Sequence, residues 1–262
     1  IGARLGDQFT LDSARLAATS VEAGDVLPLS LRWTALQSID KNVTVFVHLV
    51  APNGVILAQR DAVPAGQPTT GWLASESRDD NHGILVPFGT PPGPAELRVG
   101  LYDAATGQRL PVASGGDYVR LGPVEVSRPA VPPPVEVFNL PARTDAQFGD
   151  LTLLGLSAFR RGFDHAPDTP VHAGDELQVL LYWQAGRDAP RSPGGDVTLA
   201  LGDTAARVDA SPGATYPLDQ WRAGEVVRAV HLLPLPADLP AGRYALMLGD
   251  ERLMDIDVTD KI

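Results

Sequence analysis

Cysteine is absent from the 262-residue chain, and lysine occurs only at Lys41 and Lys261, against 19 arginines. Without thiols the chain has no disulfide framework, no thiolate nucleophile and no thiolate metal site. Enzyme classes that depend on these groups are therefore excluded. We interpret the excess of arginine over lysine as genomic composition rather than as a binding signal.

Long hydrophobic runs are also missing. No segment approaches the ~20 apolar residues that a membrane-spanning helix needs, and the N-terminus lacks the order of a secretory signal. Acidic side chains outnumber basic ones by 32 to 21, which gives a net charge of −11. Such a charge repels nucleic acid and anionic lipid. We expect no nucleic-acid partner and no direct membrane insertion by this chain.

Glycine and proline, by contrast, are abundant, with 26 and 24 residues spread along the whole sequence. Between them lie short runs rich in valine, leucine and threonine, such as Val26 to Trp33, Val43 to Val50 and Glu176 to Trp183. This pattern is typical of short strands joined by turns. Few segments keep a 3.6-residue apolar period, so we predict an all-β fold.

A proline-rich segment divides the chain near its middle. Five prolines lie between Arg128 and Pro141, where they remove backbone donors and favour an extended conformation. A chain of this length holds two domains of ordinary size, each able to bury a core without metal or cofactor. We predict a first domain over 1–127, a semi-rigid linker over 128–144 and a second domain over 145–262.

The two halves resemble each other at a nearly constant offset. Eight residues of the first half recur 149 or 150 positions later: Gly24, Asp25, Trp33, Trp72, His82, Pro87, Pro91 and Gly93 match Gly174, Asp175, Trp183, Trp221, His231, Pro236, Pro240 and Gly242. A constant offset indicates an internal duplication. We predict two tandem immunoglobulin-like β-sandwiches, in which Trp33 and Trp183 are equivalent core residues.

The string from Trp221 to Tyr244 contains Trp-x-x-Gly-Glu-Val-Val and ends in Leu-Pro-Ala-Gly-Arg-Tyr. It resembles the β-sandwich modules appended to bacterial multi-spanning glycosyltransferases of the dolichyl-phosphate-mannose type and to related surface proteins. The first half has a looser version, with Val45 to Leu49, Asn53-Gly54 and Gly100 to Asp103 in the corresponding places.

In such glycosyltransferases the active site lies in the membrane portion, which this chain lacks. The resemblance therefore implies a non-catalytic accessory module outside the cytoplasm, in the periplasm or at the cell surface. Its implied partners are a membrane-embedded portion of the same protein or cell-surface glycans. Because the sequence begins at Ile1 rather than Met, we expect an excised fragment or a processed product that has lost an anchor or signal.

The most polar segment, from Glu76 to His82, combines carboxylates with Asn81 and His82, whose oxygen and nitrogen atoms are common metal ligands. Its spacing matches no calcium loop, and the histidines at 48, 82, 165, 172 and 231 form no His-x-x-x-His pair. We predict a solvated loop or strand edge here, and no metal. A metal-dependent hydrolase using carboxylates such as Asp79 and Asp80 is our third hypothesis.

Trp72 and Trp221 each follow a loop that contains proline and glycine. Tryptophans in such loops stack on sugar rings in many sugar-binding β-sandwiches, which makes carbohydrate binding the alternative function. The other interpretation is that each indole folds back and closes one end of its own core, and the recurrence in both halves favours it. We expect buried indoles; the candidate ligand-binding residues are Trp72, His82, Tyr216, Trp221 and His231.

Overall fold

The computed structural model describes residues 1–138, 140, 142–163, 166–191, 197–213 and 216–260. In these ranges the regular structure is almost entirely β, and the helices are 3₁₀ turns of three or four residues. The all-β class predicted from the sequence is confirmed. No helix in the described ranges is long and apolar enough to cross a membrane. The chain divides into two compact units, Ile1–Pro129 and Ala130–Ile262.

The first unit is built from strands whose side chains alternate between core and solvent. In the fourth strand every second residue from Leu27 to Ala35 is buried, because successive side chains of a strand point to opposite faces. The strands are β1 (Ala3–Leu5), β2 (Phe9–Leu16), β3 (Ser20–Glu22), β4 (Val26–Ala35), β5 (Val43–Val50), β6 (Ile56–Ala62), β7 (Ser77–Leu85), β8 (Gly93–Asp103) and β9 (Val119–Ser127).

The second unit repeats this succession of long and short strands. As in β4, a ten-residue strand carries a tryptophan, Trp183, among inward-facing residues. The strands are β10 (Ala142–Phe148), β11 (Leu151–Arg160), β12 (Val171–His172), β13 (Glu176–Ala185), β14 (Thr198–Leu201), β15 (Arg207–Asp209), β16 (Val226–Pro234), β17 (Gly242–Leu248) and β18 (Glu251–Thr259).

Each unit contains a four-stranded and a five-stranded sheet with the same strand order. The four-stranded sheets run β1-β2-β4-β7 and β10-β11-β13-β16, and the five-stranded sheets run β3-β9-β8-β5-β6 and β12-β18-β17-β14-β15. In both units a short strand, β3 or β12, pairs in parallel with the last strand. The buried apolar residues of each unit come from both of its sheets and form one core.

The correspondence extends to irregularities in strand pairing. The register between β2 and β4 shifts after Leu11, which lies opposite Trp33, and that between β11 and β13 shifts after Leu153, opposite Trp183. The pairing of β8 with β9 shifts after Leu97, and that of β17 with β18 shifts at the equivalent place. Bulges are specific features of a strand pair, so the two units share local geometry as well as topology.

The core tryptophans have equivalent positions and burial, although the polar partners of their indoles differ. Trp33 is 1% exposed and Trp183 0%. Each lies on the strand at the centre of its four-stranded sheet, opposite a leucine that precedes a bulge. In the second unit Phe148 packs edge-on against the Trp183 indole, with 5.2 Å between ring centroids. The predicted core role of both residues is confirmed.

The proline-rich segment is not extended throughout. A 3₁₀ turn spans Val135–Phe138, and the Phe138 ring packs edge-on against Tyr182 at 6.2 Å. Leu140 packs closely over Gly155, where an added Cβ atom would lie 3.1 Å from the leucine side chain and still closer to the Ala142 carbonyl oxygen. β10 begins at Ala142, within the stretch predicted as linker. Apolar anchors thus attach the end of this segment to the second unit.

One turn has the same hydrogen bonds in both units but a different residue at its strained position. Glu76 accepts a hydrogen bond from the Leu73 amide at 2.9 Å, and Glu225 accepts one from the Arg222 amide at 2.8 Å. The residue before each glutamate has positive φ, 68° at Ser75 and 77° at Gly224. This conformation is easy for glycine and strained for serine.

The strain at this turn predicts that the two single substitutions, Gly224→Ser and Ser75→Gly, affect the stability of the chain differently. No atom lies within 4 Å of a Cβ added to Gly224, so Gly224→Ser should destabilise the chain through backbone strain alone, by about 1 kcal/mol. The reverse change, Ser75→Gly, should not destabilise it. Urea denaturation of both variants measures the difference, and a neutral Gly224→Ser would contradict the expectation.

Candidate functional site

A buried aspartate of the first unit connects the core tryptophan to a histidine. Asp80 and His82 point inward from β7 because they alternate with the exposed Asp79 and Asn81. The Asp80 Oδ2 atom accepts a hydrogen bond from Trp33 Nε1 at 3.1 Å and lies 2.8 Å from His82 Nε2. Asp80 is 3% exposed, so these contacts stand in for solvation of the carboxylate.

The other oxygen of Asp80 fixes the loop between β6 and β7. Its Oδ1 atom accepts a hydrogen bond from the Ala65 amide at 3.0 Å. Ala65 has a φ of 53°, a left-handed conformation that a residue with a Cβ adopts only under constraint. One carboxylate therefore ties together the core tryptophan, the edge strand and a strained loop.

In the second unit the carboxylate of this arrangement is replaced by a methyl group. In the first unit Asp80 pairs with Leu31 and His82 pairs with Leu29. In the second unit Ala229 pairs with Leu181 and His231 pairs with Val179, at the same distance along the strands from Trp183. Ala229 therefore has the position of Asp80, and His231 that of His82. Among the described residues, the buried Trp183 Nε1 and His231 Nε2 atoms have no hydrogen-bond partner.

Trp72 closes one end of the first core. Its indole is 1% exposed and meets the Phe9 ring edge-on at 6.0 Å. The Arg78 guanidinium lies 4.9 Å from the indole centroid, where a cation is attracted by the ring face. Glu76 and Gln67 accept hydrogen bonds from Arg78 and hold it there. The cation thus occupies a ring face that sugar stacking would require.

Trp221 has the same position in the second unit with a different partner. It is 2% exposed, and Tyr216, 3% exposed, stacks on it at 5.9 Å. The Trp221 Nε1 atom donates a hydrogen bond to the Tyr216 carbonyl at 2.9 Å, and the Tyr216 hydroxyl donates one to the Gln220 carbonyl. A tyrosine thus covers this indole where Arg78 covers Trp72.

The five sequence-predicted ligand residues therefore lie mainly inside their own units. Trp72, His82, Tyr216 and Trp221 are buried, and His231 is partly exposed although its Nε2 atom is buried. The expectation of mostly buried indoles is confirmed. Because stacking on a sugar needs an exposed ring face, neither indole presents such a platform in this structure.

The polar segment Glu76–His82 lies almost entirely within β7, the edge strand of its sheet. Its outward side chains pair with the neighbouring strand: Asp79 accepts a hydrogen bond from Arg32 at 2.7 Å, and Asn81 accepts one from Ser30 at 2.7 Å. No group of three potential metal ligands occurs in the described ranges. His165 lies outside the described residues.

A second cluster, which the sequence analysis did not identify, lies on the outer face of the five-stranded sheet of the first unit. Phe46 of β5 is 1% exposed although it alternates with the core residues Val45 and Val47. The Arg109 guanidinium lies 4.2 Å from the centre of its ring, and Tyr102 stacks on it at 6.4 Å. A loop cation and a tyrosine therefore cover an outward-facing phenylalanine.

Tyr118 extends this cluster towards β9. The guanidinium groups of Arg98 and Arg120 lie 4.6 and 5.8 Å from its ring centroid. Glu96 accepts a hydrogen bond from Arg98 at 2.5 Å and one from Arg120 at 2.7 Å. The bond from Arg98 is the main cause that lowers the pKa of Glu96 below its usual value, so the carboxylate is ionised at neutral pH and holds both cations.

We call this surface the aromatic–arginine face, comprising Phe46, Arg98, Tyr102, Arg109, Tyr118 and Arg120. Two further carboxylates complete it. Asp117 accepts a hydrogen bond from Arg109 at 3.0 Å, and Asp61 accepts one from the Tyr102 hydroxyl at 3.0 Å. Burial and the Asp61 charge raise the pKa of Tyr102. The face is therefore a network of fixed, mutually paired groups.

The aromatic–arginine face depends on the long connection between β8 and β9, residues 104–118. Asp103 starts this loop by accepting hydrogen bonds from the Ala105 and Thr106 amides at 2.9 and 3.0 Å, and these bonds hold its pKa below the usual value. In the second unit only two residues separate β17 from β18. There Thr198 stands at the position of Phe46.

Two open depressions lie beside the same loop, with volumes of about 280 and 560 Å³. Both are lined by Lys41 and Asp103, whose charged groups are 3.8 Å apart. The remaining lining residues are polar or aliphatic, with no aromatic side chain in the described walls. They do not present the apolar body with convergent polar groups that a small-molecule site requires.

The sequence was compared with family models and with curated proteins. No family model matches the chain, and no curated protein matches it either. The interpretation of both clusters therefore depends on their own contacts.

The Asp80 network predicts a large effect of removing its carboxylate. Asp80→Ala leaves the Trp33 indole N–H and the Ala65 amide without their acceptor, and each buried unpaired donor costs about 1–3 kcal/mol. We expect the free energy of unfolding to fall by roughly 3 kcal/mol. The matched control is Asp79→Ala, whose exposed pair with Arg32 is worth less than ~1 kcal/mol. Equal losses in chemical denaturation would refute the network.

His231 predicts a pH dependence in the second unit. Burial lowers its pKa from 6.5 to about 4, against the opposing effect of Asp209. Because the unfolded chain takes up the proton first, the stability contributed by neutral His231 is complete above pH 6.5 and declines as the pH falls towards 4, by roughly 3 kcal/mol in all. His231→Gln should remove this decline from denaturation curves between pH 7 and 4. A variant with an unchanged decline would contradict the assignment.

Proposed function

We propose that the chain is a non-catalytic accessory module of a protein that acts outside the cytoplasm. It consists of two tandem immunoglobulin-like β-sandwiches that arose by duplication, and it binds a partner through the aromatic–arginine face of the first unit. One observation carries this proposal. The buried candidates Asp80 and His82 are used inside the first core, whereas the outer face of the five-stranded sheet of the first unit carries paired arginines and aromatic rings. In the described part of the second unit, Thr198 and a two-residue turn lie at the corresponding place.

The duplication is supported by the shared strand order and by the two equivalent bulges. The immunoglobulin-like assignment is supported by the sheet composition. Strands β2, β4 and β7 correspond to A, B and E of that fold, and β9, β8 and β5 correspond to G, F and C. The residues that recur in both halves of the sequence, such as Gly24 with Gly174 and Trp33 with Trp183, are then residues of turns and cores.

A non-catalytic role is supported by the way the first unit uses Asp80 and His82. General acid–base catalysis requires a group within hydrogen-bond reach of a substrate proton. Both oxygens of Asp80 already contact protein groups, and the His82 side chain is 1% exposed. In the second unit alanine replaces the carboxylate altogether. This arrangement favours stabilisation of the fold over turnover.

A protein partner is favoured by the composition of the aromatic–arginine face. Tyrosine and arginine dominate the residues that carry binding energy at protein interfaces. Here the side chains are already held in place by Glu96, Asp117 and ring contacts, which reduces the entropy lost on binding. The resemblance to modules appended to multi-spanning glycosyltransferases supports a membrane-embedded portion of a longer protein as this partner.

Carbohydrate binding is the weaker alternative. The loop tryptophans on which it depended are covered by Arg78 and Tyr216. On the outer face the Tyr118 ring is flanked by two guanidinium groups, and Tyr102 stacks on Phe46. A glycan would have to displace these contacts before it could stack.

Site-specific photo-crosslinking in producing cells tests the proposal. The variant Arg120→p-benzoylphenylalanine places the probe on the aromatic–arginine face. The matched control is Arg252→p-benzoylphenylalanine, because Arg252 pairs with Met247 beside the equivalent bulge as Arg120 pairs with Arg98. We expect position 120, and not position 252, to crosslink to a membrane-fraction polypeptide, and added protease to reach the chain in spheroplasts.

Three outcomes would overturn the proposal. Equal crosslinking from both positions would mean that the face has no special role. A glycan adduct at position 120 would favour the carbohydrate alternative. Protection of the chain from protease until the cells are lysed would contradict its location outside the cytoplasm.

A further inference from the structure

The second unit contains a pair of buried nitrogen atoms that point to a specific small ligand. Trp183 is fully buried, and its Nε1 atom has no acceptor among the described residues; the buried His231 Nε2 atom likewise has no partner there. In the first unit the equivalent atoms of Trp33 and His82 converge on a single oxygen of Asp80, at 3.1 and 2.8 Å. The shared register places Trp183, Ala229 and His231 at the positions that Trp33, Asp80 and His82 occupy in the first unit.

The backbone contact on the other side of the histidine ring indicates which nitrogen atom of His231 carries the proton. The backbone of Asp209 makes a hydrogen bond with His231, and a backbone acceptor is a carbonyl oxygen. Since Nε2 has no partner, the bond involves Nδ1, which therefore carries the proton. In a neutral ring with a protonated Nδ1, Nε2 is an acceptor. His82 differs, because its Nε2 atom faces a carboxylate and must donate.

The ligand must therefore accept a hydrogen bond from Trp183 Nε1 and donate one to His231 Nε2. A carboxylate fails this requirement, because it would set its lone pairs against the lone pair of Nε2. A water molecule meets it and takes about 30 Å³, comparable to the difference between an aspartate and an alanine side chain. Buried waters are found where they satisfy otherwise unpaired polar groups in this way.

We propose that the second unit binds one internal water molecule between Trp183 and His231, in the place that the Asp80 carboxylate takes in the first unit. As a consequence, His231 and His82 adopt opposite tautomers. The water has the structural role of the missing carboxylate and satisfies the buried indole of the second core.

Two measurements on the intact chain test this proposal. A high-resolution crystal structure should show an ordered water 2.7–3.2 Å from both nitrogen atoms. Nitrogen-15 NMR should show an unprotonated Nε2 in His231 and a protonated Nε2 in His82, with a water contact at the Trp183 indole proton. A protonated His231 Nε2, or an indole proton without a water contact, would overturn the proposal.

Substitution at position 229 supplies the matched control. Ala229→Asp should remove the water contact at Trp183 and place a proton on His231 Nε2, because the new carboxylate accepts from both nitrogen atoms as Asp80 does. If this variant does not fold, Ala229→Ser tests the same point, because its hydroxyl can both accept and donate. It should remove the water contact while the proton stays on Nδ1. Persistence of the water contact in the folded variant would contradict the assignment.

Discussion

The indole N–H of Trp33 is a constraint on which much of the first unit depends. A tryptophan fills the centre of a small sandwich core efficiently, but its N–H must find an acceptor in an interior without water. Asp80 provides that acceptor from the adjacent edge strand. A buried carboxylate needs further donors in turn, and it finds them at His82 and at the Ala65 amide. The strained conformation of the β6–β7 loop thus follows from a requirement of the core.

The second unit meets the same topological demands with different polar groups. It keeps Trp183 and His231 but has Ala229 in place of the carboxylate. Its loop tryptophan, Trp221, donates to the Tyr216 carbonyl, whereas the equivalent Nε1 of Trp72 has no partner in the described part of the first unit. Within the described residues, each unit therefore satisfies one indole N–H through a protein acceptor and provides no protein acceptor for the other. The apolar core and the bulges fix the fold, and the polar contacts vary within it.

Turn residues and large aromatics made the fold class and the two core tryptophans predictable, because both leave marks at fixed spacing in the sequence. The Asp80 network was not predictable in the same way. A run such as Ser-Arg-Asp-Asp-Asn-His is usually solvated. That Asp80 and His82 point inward could be inferred only if Trp33 were known to lie on the adjacent strand. The sequence held one sign of this difference: His82 recurs in the second half as His231, whereas Ala229 stands at the position of Asp80. The aromatic–arginine face was missed because it depends on the conformation of residues 104–118, which carry no periodic pattern.

The two units differ most where change does not disturb the core. An outward-facing phenylalanine such as Phe46 must be covered or remain exposed to water, and in the first unit Arg109 covers it from a long loop that Asp103 and Asp117 hold in place. The second unit has Thr198 at this position and a two-residue turn, so it has no apolar ring to cover. The loop, the paired arginines and the aromatic rings thus form one dependent set on the first unit. That dependence is the physical reason why we propose this face, and not the corresponding face of the second unit, as the partner-binding surface.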